Sequence, residues 1–191
     1  MENLVEVKNL KKIYGSKEAV KDISFTIKKD EILGLLGPNG SGKTTTIGML
    51  LGLLKPTNGE VLIDGKKIEE NRIEILKKIN FISPYIELPK KLTVKQNLIV
   101  YGKLYNVLNI NKRIEYLVEK LRLSELLNRV TGELSSGQKN RVSLAKALIN
   151  NPSVLFLDEP TASLDPEIGD FVRTFLENYK KEKKISILLA S

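Results

Sequence analysis

Residues 32–44, ILGLLGPNGSGKT, constrain the fold of this chain more than any other stretch. Ile32 to Leu36 carries no polar side chain and predicts a fully buried strand, and a strand apolar on both faces needs cover on both. Gly37-Pro38-Asn39-Gly40-Ser41-Gly42-Lys43-Thr44 then fits G-x4-G-K-[ST] and leads into the apolar run Ile47 to Leu54, which reads as a core helix. The glycines let the backbone turn so that successive amides point inward at an anion, and the helix adds its N-terminal dipole. Strand, glycine turn and helix in this order predict a phosphate-binding loop in a helix-covered sheet. Lys43 is expected to neutralise the β- and γ-phosphates of a nucleotide, and Thr44 to place its hydroxyl on Mg²⁺.

The rest of the chain supplies that sheet and its cover. Val5, Val7, Ile23, Phe25 and Ile27 alternate with polar residues as strands do, and Glu60 to Ile63 is a short strand ended by the Asp64-Gly65 turn. From Arg72 the period becomes helical through Ile75, Leu76 and Ile79, and it stays helical over Thr93 to Asn106 and through Ile114, Leu117, Val118 and Leu121. Val154 to Leu157 is a second buried strand. Asp165-Pro166-Glu167 reads as N-cap, N1 proline and first-turn acid of a helix to about Tyr179. The final ILLAS, Ile187 to Ser191, reads as the start of a buried strand.

Composition narrows the chemistry. At 191 residues, 41% hydrophobic and 28% charged, the chain suits one substantial globular unit. With no cysteine and no histidine, disulfides, thiolate nucleophiles, Ser-His-Asp arrangements and histidine metal sites are excluded, so any metal must be held by oxygen. The net charge of +8 raises nucleic acid and an anionic membrane surface as partners, but the lysine pairs are interspersed with Glu, Asp and apolar residues, as on a solvated surface. No basic segment followed by an apolar one opens MENLVEVKNL, so no secretory signal is read there.

Asp158-Glu159, at the end of the Val154 strand, is the second chemical element. Asp158 is expected to hold Mg²⁺, largely through water, and Glu159 to polarise an attacking water as general base. Phosphate loop and acidic strand end together predict a P-loop nucleotide hydrolase. A third element, Leu134-Ser135-Ser136-Gly137-Gln138, precedes a helix over about Lys139 to Ile149. By spacing it is a serine-capped helix start or a second anion-binding helix terminus.

LSSGQ resembles the LSGGQ signature of ATP-binding cassette (ABC) ATPases, with Ser136 in the glycine pair, and its place between the phosphate loop and Asp158-Glu159 matches that family. The resemblance runs through nearly the whole chain. It implies an α/β fold: a P-loop NTPase core with a RecA-like mixed sheet flanked by helices (about 1–83 and 135–191), an antiparallel β subdomain, and a helical signature subdomain (about 84–134). It implies that Tyr14 stacks on adenine, that Gly37 to Thr44 with Thr45 bind ATP, and that Ser163, Leu164 and Asp165, after Ala162, form a D-loop. It further implies an ATP sandwich, in which Leu134 to Gln138 of one subunit face the phosphate loop of a second ABC subunit. An integral membrane permease would be moved by that dimer, the chain lying in the cytoplasm at the inner face of the membrane, with no nucleic acid expected.

Two departures stand out. The family's glutamine after the strand at Phe81-Ile82 falls on Pro84, which cannot coordinate Mg²⁺, and Gln96 lies too far into the next helix to replace it. ILLAS resembles the strand that the family follows with a switch histidine, so the chain is expected to be a truncated cassette that binds ATP and hydrolyses it weakly or not at all. The stretch Ser83 to Leu98 resembles exporter-type cassettes. The competing reading is a soluble ABC-type switch or regulator not coupled to transport; a P-loop kinase gives no reason for LSSGQ.

Overall fold

A computed structural model describes residues 2–84, 87–161 and 164–191. The long strands β1 (Asn3–Tyr14) and β2 (Lys17–Lys28) pair antiparallel, turning at Gly15 with φ 58°. β4 (Asn58–Ile63) lies on the other edge of β1, and its tight Asp64-Gly65 turn, both residues at positive φ, leads to β5 (Lys66–Lys67). The result is a sheet ordered β2-β1-β4-β5.

The second sheet is parallel throughout its described strands, in the order β3-β8-β7-β6: β3 (Ile32–Leu35), β8 (Ser186–Ala190), β7 (Val154–Asp158) and β6 (Ile79–Ile82). Parallel and antiparallel pairing are thus both present, in separate sheets. The expectation of a fully buried strand at Ile32 to Leu36 is corrected. Among the described residues β3 lies at the edge of its sheet and Ile32 is 45% exposed, because no described strand covers its outer side. β7 is the strand buried at every position, and β8 lies centrally beside it.

The helices are α1 (Lys43–Leu50), α2 (Arg72–Lys78), α3 (Val94–Leu104), α4 (Ile110–Lys120), α5 (Ser136–Leu148) and α6 (Pro166–Lys183). α1 stops at Leu50, short of Leu54, and Gly52 (φ 63°) follows in the turn. α5 begins at Ser136, earlier than expected, because a capping box closes its first turn. α6 runs past Tyr179 through Lys180 to Lys183, where lysines suit the negative end of the helix dipole. Among the described residues no helix is long and apolar enough to cross a membrane.

The parallel sheet separates two apolar clusters. Leu155, Leu157 and Ile187 face one with α3–α6, and Val154, Phe156, Leu188 and Ala190 face the other with α1, α2 and the antiparallel sheet. That split follows from the period of two along β7 and β8. Between 87 and 134 the described chain has no strand, only α3, α4 and two 3₁₀ turns. Asn97 fastens this region: its buried Nδ2 donates to the carbonyls of Pro89 (3.2 Å) and Thr93 (3.1 Å).

Candidate functional site

The glycine loop joins the end of β3 to α1. Gly40 (φ 81°) and Gly42 (φ 94°) occupy left-handed backbone, and a Cβ on Gly42 would lie 2.2 Å from the Ala19 carbonyl oxygen. Ala19 is set there by the hairpin. The partner of Lys12 is Val20 and that of Ile13 is Glu18, so β2 carries an extra residue at Ala19, a bulge that brings its carbonyl close to the loop.

Lys43, only 7% exposed, folds back over this loop, its Nζ donating to the carbonyls of Gly37 (2.7 Å) and Pro38 (3.2 Å). Thr44 Oγ1 donates to Asp158 Oδ2 at 2.9 Å, bringing the start of α1 onto the end of β7 although the residues are 114 apart in sequence. Asp158 is 2% exposed. A hydroxyl beside a buried carboxylate, with every donor an oxygen, is a set that suits Mg²⁺. Glu159 follows at φ 48°, an uncommon conformation for a non-glycine residue, held by its amide donating to the Ala190 carbonyl at 2.9 Å.

A cleft of about 460 Å³ opens over these groups, lined by Tyr14, Lys17, Ala19, Asn39, Gly40, Gly42, Lys43, Thr44, Thr45 and Glu159. Tyr14 stands at its rim at the end of β1, 48% exposed. On its other side Glu159 borders a second cavity of about 230 Å³, shared with Asp158, Ser83, Pro84, Ser136 and Asn140. Lys17 and Ala19 were not foreseen as lining residues, since only the hairpin register carries them to the loop.

At the start of α5, Ser135 Oγ accepts from the Gln138 amide (3.3 Å) and Gln138 Oε1 from the Ser135 amide (3.0 Å). The capping reading of this serine is met. The amides of Ser136 and Gly137, in the first turn, have no intrahelical acceptor. Leu134 and Gly137 are buried, and a Cβ on Gly137 would lie 2.2 Å from Ile168 Cδ1, so its small size admits α6.

A family model described as ABC transporter matches residues 20–162, well over half of the chain. The chain belongs to the ABC transporter family. The cassette is 37% identical to the bacitracin transport ATP-binding protein BcrA of Bacillus licheniformis, covering 100% of this chain and 62% of that protein. It is 41% identical to the Nod factor export ATP-binding protein I of Rhizobium johnstonii, over 85% of this chain and 53% of that protein. The chain therefore spans between about half and three fifths of the length of these curated relatives. Among solved structures it is similar to the dimeric post-hydrolysis state of the ATP-binding cassette MJ0796 bound to ADP and Pi, with a TM-score of 0.89 at 30% identity, over 98% of this chain and 87% of that one. It is also similar to cbiO1 from Clostridium perfringens, part of the ABC transporter complex cbiONQ, with a TM-score of 0.86 at 32% identity, over 100% of this chain and 79% of that one.

The remaining expected positions of the cassette divide. Ser163 of the expected D-loop, with Ala162, lies outside the described residues. Leu164 packs on the helical cluster. Asp165 holds the N-cap position of α6, but its side chain makes no capping bond, which corrects the capping role expected for it; its carbonyl accepts from the Gly169 amide at 2.9 Å. Gln96 is committed to the α3 capping box, its Oε1 accepting from the Thr93 amide at 2.9 Å. It is not turned to the cleft in place of the glutamine absent at Pro84.

Proposed function

We propose that this cassette is the ATP-binding and hydrolysing subunit of an ABC transporter, two subunits closing around two ATP molecules to drive a separate membrane permease. The observation that carries the reading is the Thr44–Asp158 hydrogen bond at 2.9 Å, a hydroxyl and a carboxylate of the kind that suits Mg²⁺, beside the glycine loop and next to Glu159. The fold it shares with a dimeric ADP- and Pi-bound cassette supports ATP as substrate and the paired assembly. The relative named for bacitracin transport supports a transport role, and the one named for Nod factor export supports movement outward.

In this mechanism Lys43 exchanges the Gly37 and Pro38 carbonyls for phosphate oxygens, and the loop amides take the β-phosphate. Thr44 and Asp158 would hold Mg²⁺, whose chemistry is neutralisation of the charge on the β- and γ-phosphates. Tyr14 stacks on the purine. Glu159 accepts a proton from a water that attacks the γ-phosphorus, the bond to the β,γ-bridging oxygen breaks, and ADP and phosphate leave. The amides of Ser136 and Gly137, which have no acceptor within the helix, meet the γ-phosphate of the partner's ATP, so ATP favours the closed dimer by contacts that ADP cannot make.

Glu159→Gln separates binding from chemistry. The variant is expected to bind ATP–Mg²⁺ as the parent does, to lose phosphate release by about 10²-fold or more, and to run as an ATP-dependent dimer in size-exclusion chromatography. Phosphate release at the parental rate would remove Glu159 from the base role, and a chain that stays monomeric with ATP in this variant would remove the sandwich.

A further inference from the structure

The ammonium of Lys12 stands 5.1 Å from the centre of the Tyr14 ring, and its Nζ donates to the Lys55 carbonyl at 2.7 Å. Among the described residues no carboxylate pairs with it, so its charge is spent on the ring and the carbonyl. Lys55 lies just beyond α1, the helix that opens at the glycine loop. Two further bonds fasten the same segments: the Thr57 amide to the Lys11 carbonyl (2.8 Å) and the Ile13 amide to Thr57 Oγ1 (3.0 Å).

We infer that Lys12 is a positioning residue for the nucleotide base: anchored to the Lys55 carbonyl, its ammonium holds the Tyr14 ring at the rim of the cleft for stacking against a purine. The inference rests on the reading of Tyr14 as the base-stacking residue and extends it to a residue that does not line the cleft. A cation at one face of an aromatic ring is attracted by the ring quadrupole, which penalises rotation of the ring away from it. An aromatic side chain nearly half exposed at the end of a hairpin otherwise samples several rotamers, and restricting them before the ligand arrives lowers the cost of binding. The ammonium thereby acts on base affinity without meeting the phosphates.

The test compares ATP with inorganic tripolyphosphate, which offers the same phosphate loop a charged chain without a base. Affinities are read by displacement of a fluorescent ATP analogue from the parent, Lys12→Met, Lys12→Arg, Tyr14→Ala and the Lys12→Met/Tyr14→Ala double variant. Lys12→Met is expected to weaken ATP about threefold and to leave tripolyphosphate unchanged. Lys12→Arg is expected to restore ATP affinity, since a guanidinium stacks on the same ring. In the Tyr14→Ala background Lys12→Met should add nothing, because its effect passes through that ring. Equal weakening of ATP and tripolyphosphate would make Lys12 a general charge or a structural residue and overturn the inference. So would unchanged ATP affinity in Lys12→Met when Tyr14→Ala is impaired. Unchanged ATP affinity in Tyr14→Ala would instead overturn the stacking reading on which the inference stands.

Discussion

Gly137 shows how one missing carbon atom sets the spacing of two helices. Its φ is ordinary for a helix, so alanine would be tolerated by the backbone and its cost falls wholly on the contact 2.2 Å away, at Ile168 Cδ1. Gly137→Ala is expected to destabilise the cassette by about 1 kcal/mol, the low end for overpacking, since the Ile168 methyl is the end of a flexible side chain that can turn aside in part. Adding Ile168→Val, which removes that Cδ1, should recover most of the loss in urea unfolding. No recovery in the double variant would mean that the glycine is needed for something other than room. Gly42 differs: φ 94° and a backbone oxygen 2.2 Å from any Cβ leave no compensating substitution. Both glycines stand in recognisable sequence motifs, but only the three-dimensional neighbours separate a requirement for space from a requirement for conformation.

At the scale of elements, Lys146 joins three of them. It lies on α5, its Nζ donating to the Phe81 carbonyl of β6 at 3.4 Å and standing 5.1 Å from the Phe81 ring and 5.4 Å from the Tyr101 ring of α3. Burial lowers its ammonium from the ordinary 10.5 to about 8. Between those values the unfolded chain holds a proton that the folded chain has released, so stability rises with pH across the window from about 8 to 10.5. The rise attributable to this one group is on the order of 3 kcal/mol. Urea midpoints measured across that window should therefore climb more steeply for the parent than for Lys146→Met, and parallel profiles would assign the ammonium no cost of burial. Lys146 was not foreseen, although it stands four positions after Val142 on the buried face of its helix. The glycine loop, the Asp158-Glu159 strand end and the capped start of α5 were legible because each is a contiguous motif. The exposed edge at Ile32, the Ala19 bulge and the contacts of Lys12 were not, since each depends on which distant segment becomes a neighbour. The end of α6 was missed for another reason: lysine and glutamate favour helix as readily as they favour solvent.

For the whole molecule, β7 and β8 are the wall that both apolar clusters share. Leu155 faces the helical side and Phe156 the side of the antiparallel sheet. Leu155→Ala is expected to cost about 2–5 kcal/mol and Phe156→Ala about 3–5 kcal/mol. Because the wall is common, each variant should lower the melting of the entire chain in one transition, with near- and far-ultraviolet circular dichroism coinciding. A variant that melts in two steps, one cluster surviving the other, would show the two sides to be independent. The same wall is assembled from residues 154–158 and 186–190, made after the antiparallel sheet and the glycine loop. A nascent chain on the ribosome has made the antiparallel sheet, the glycine loop, α1 and α2 before the parallel wall that they pack against exists. Its apolar faces remain open to chaperones until β7 and β8 emerge.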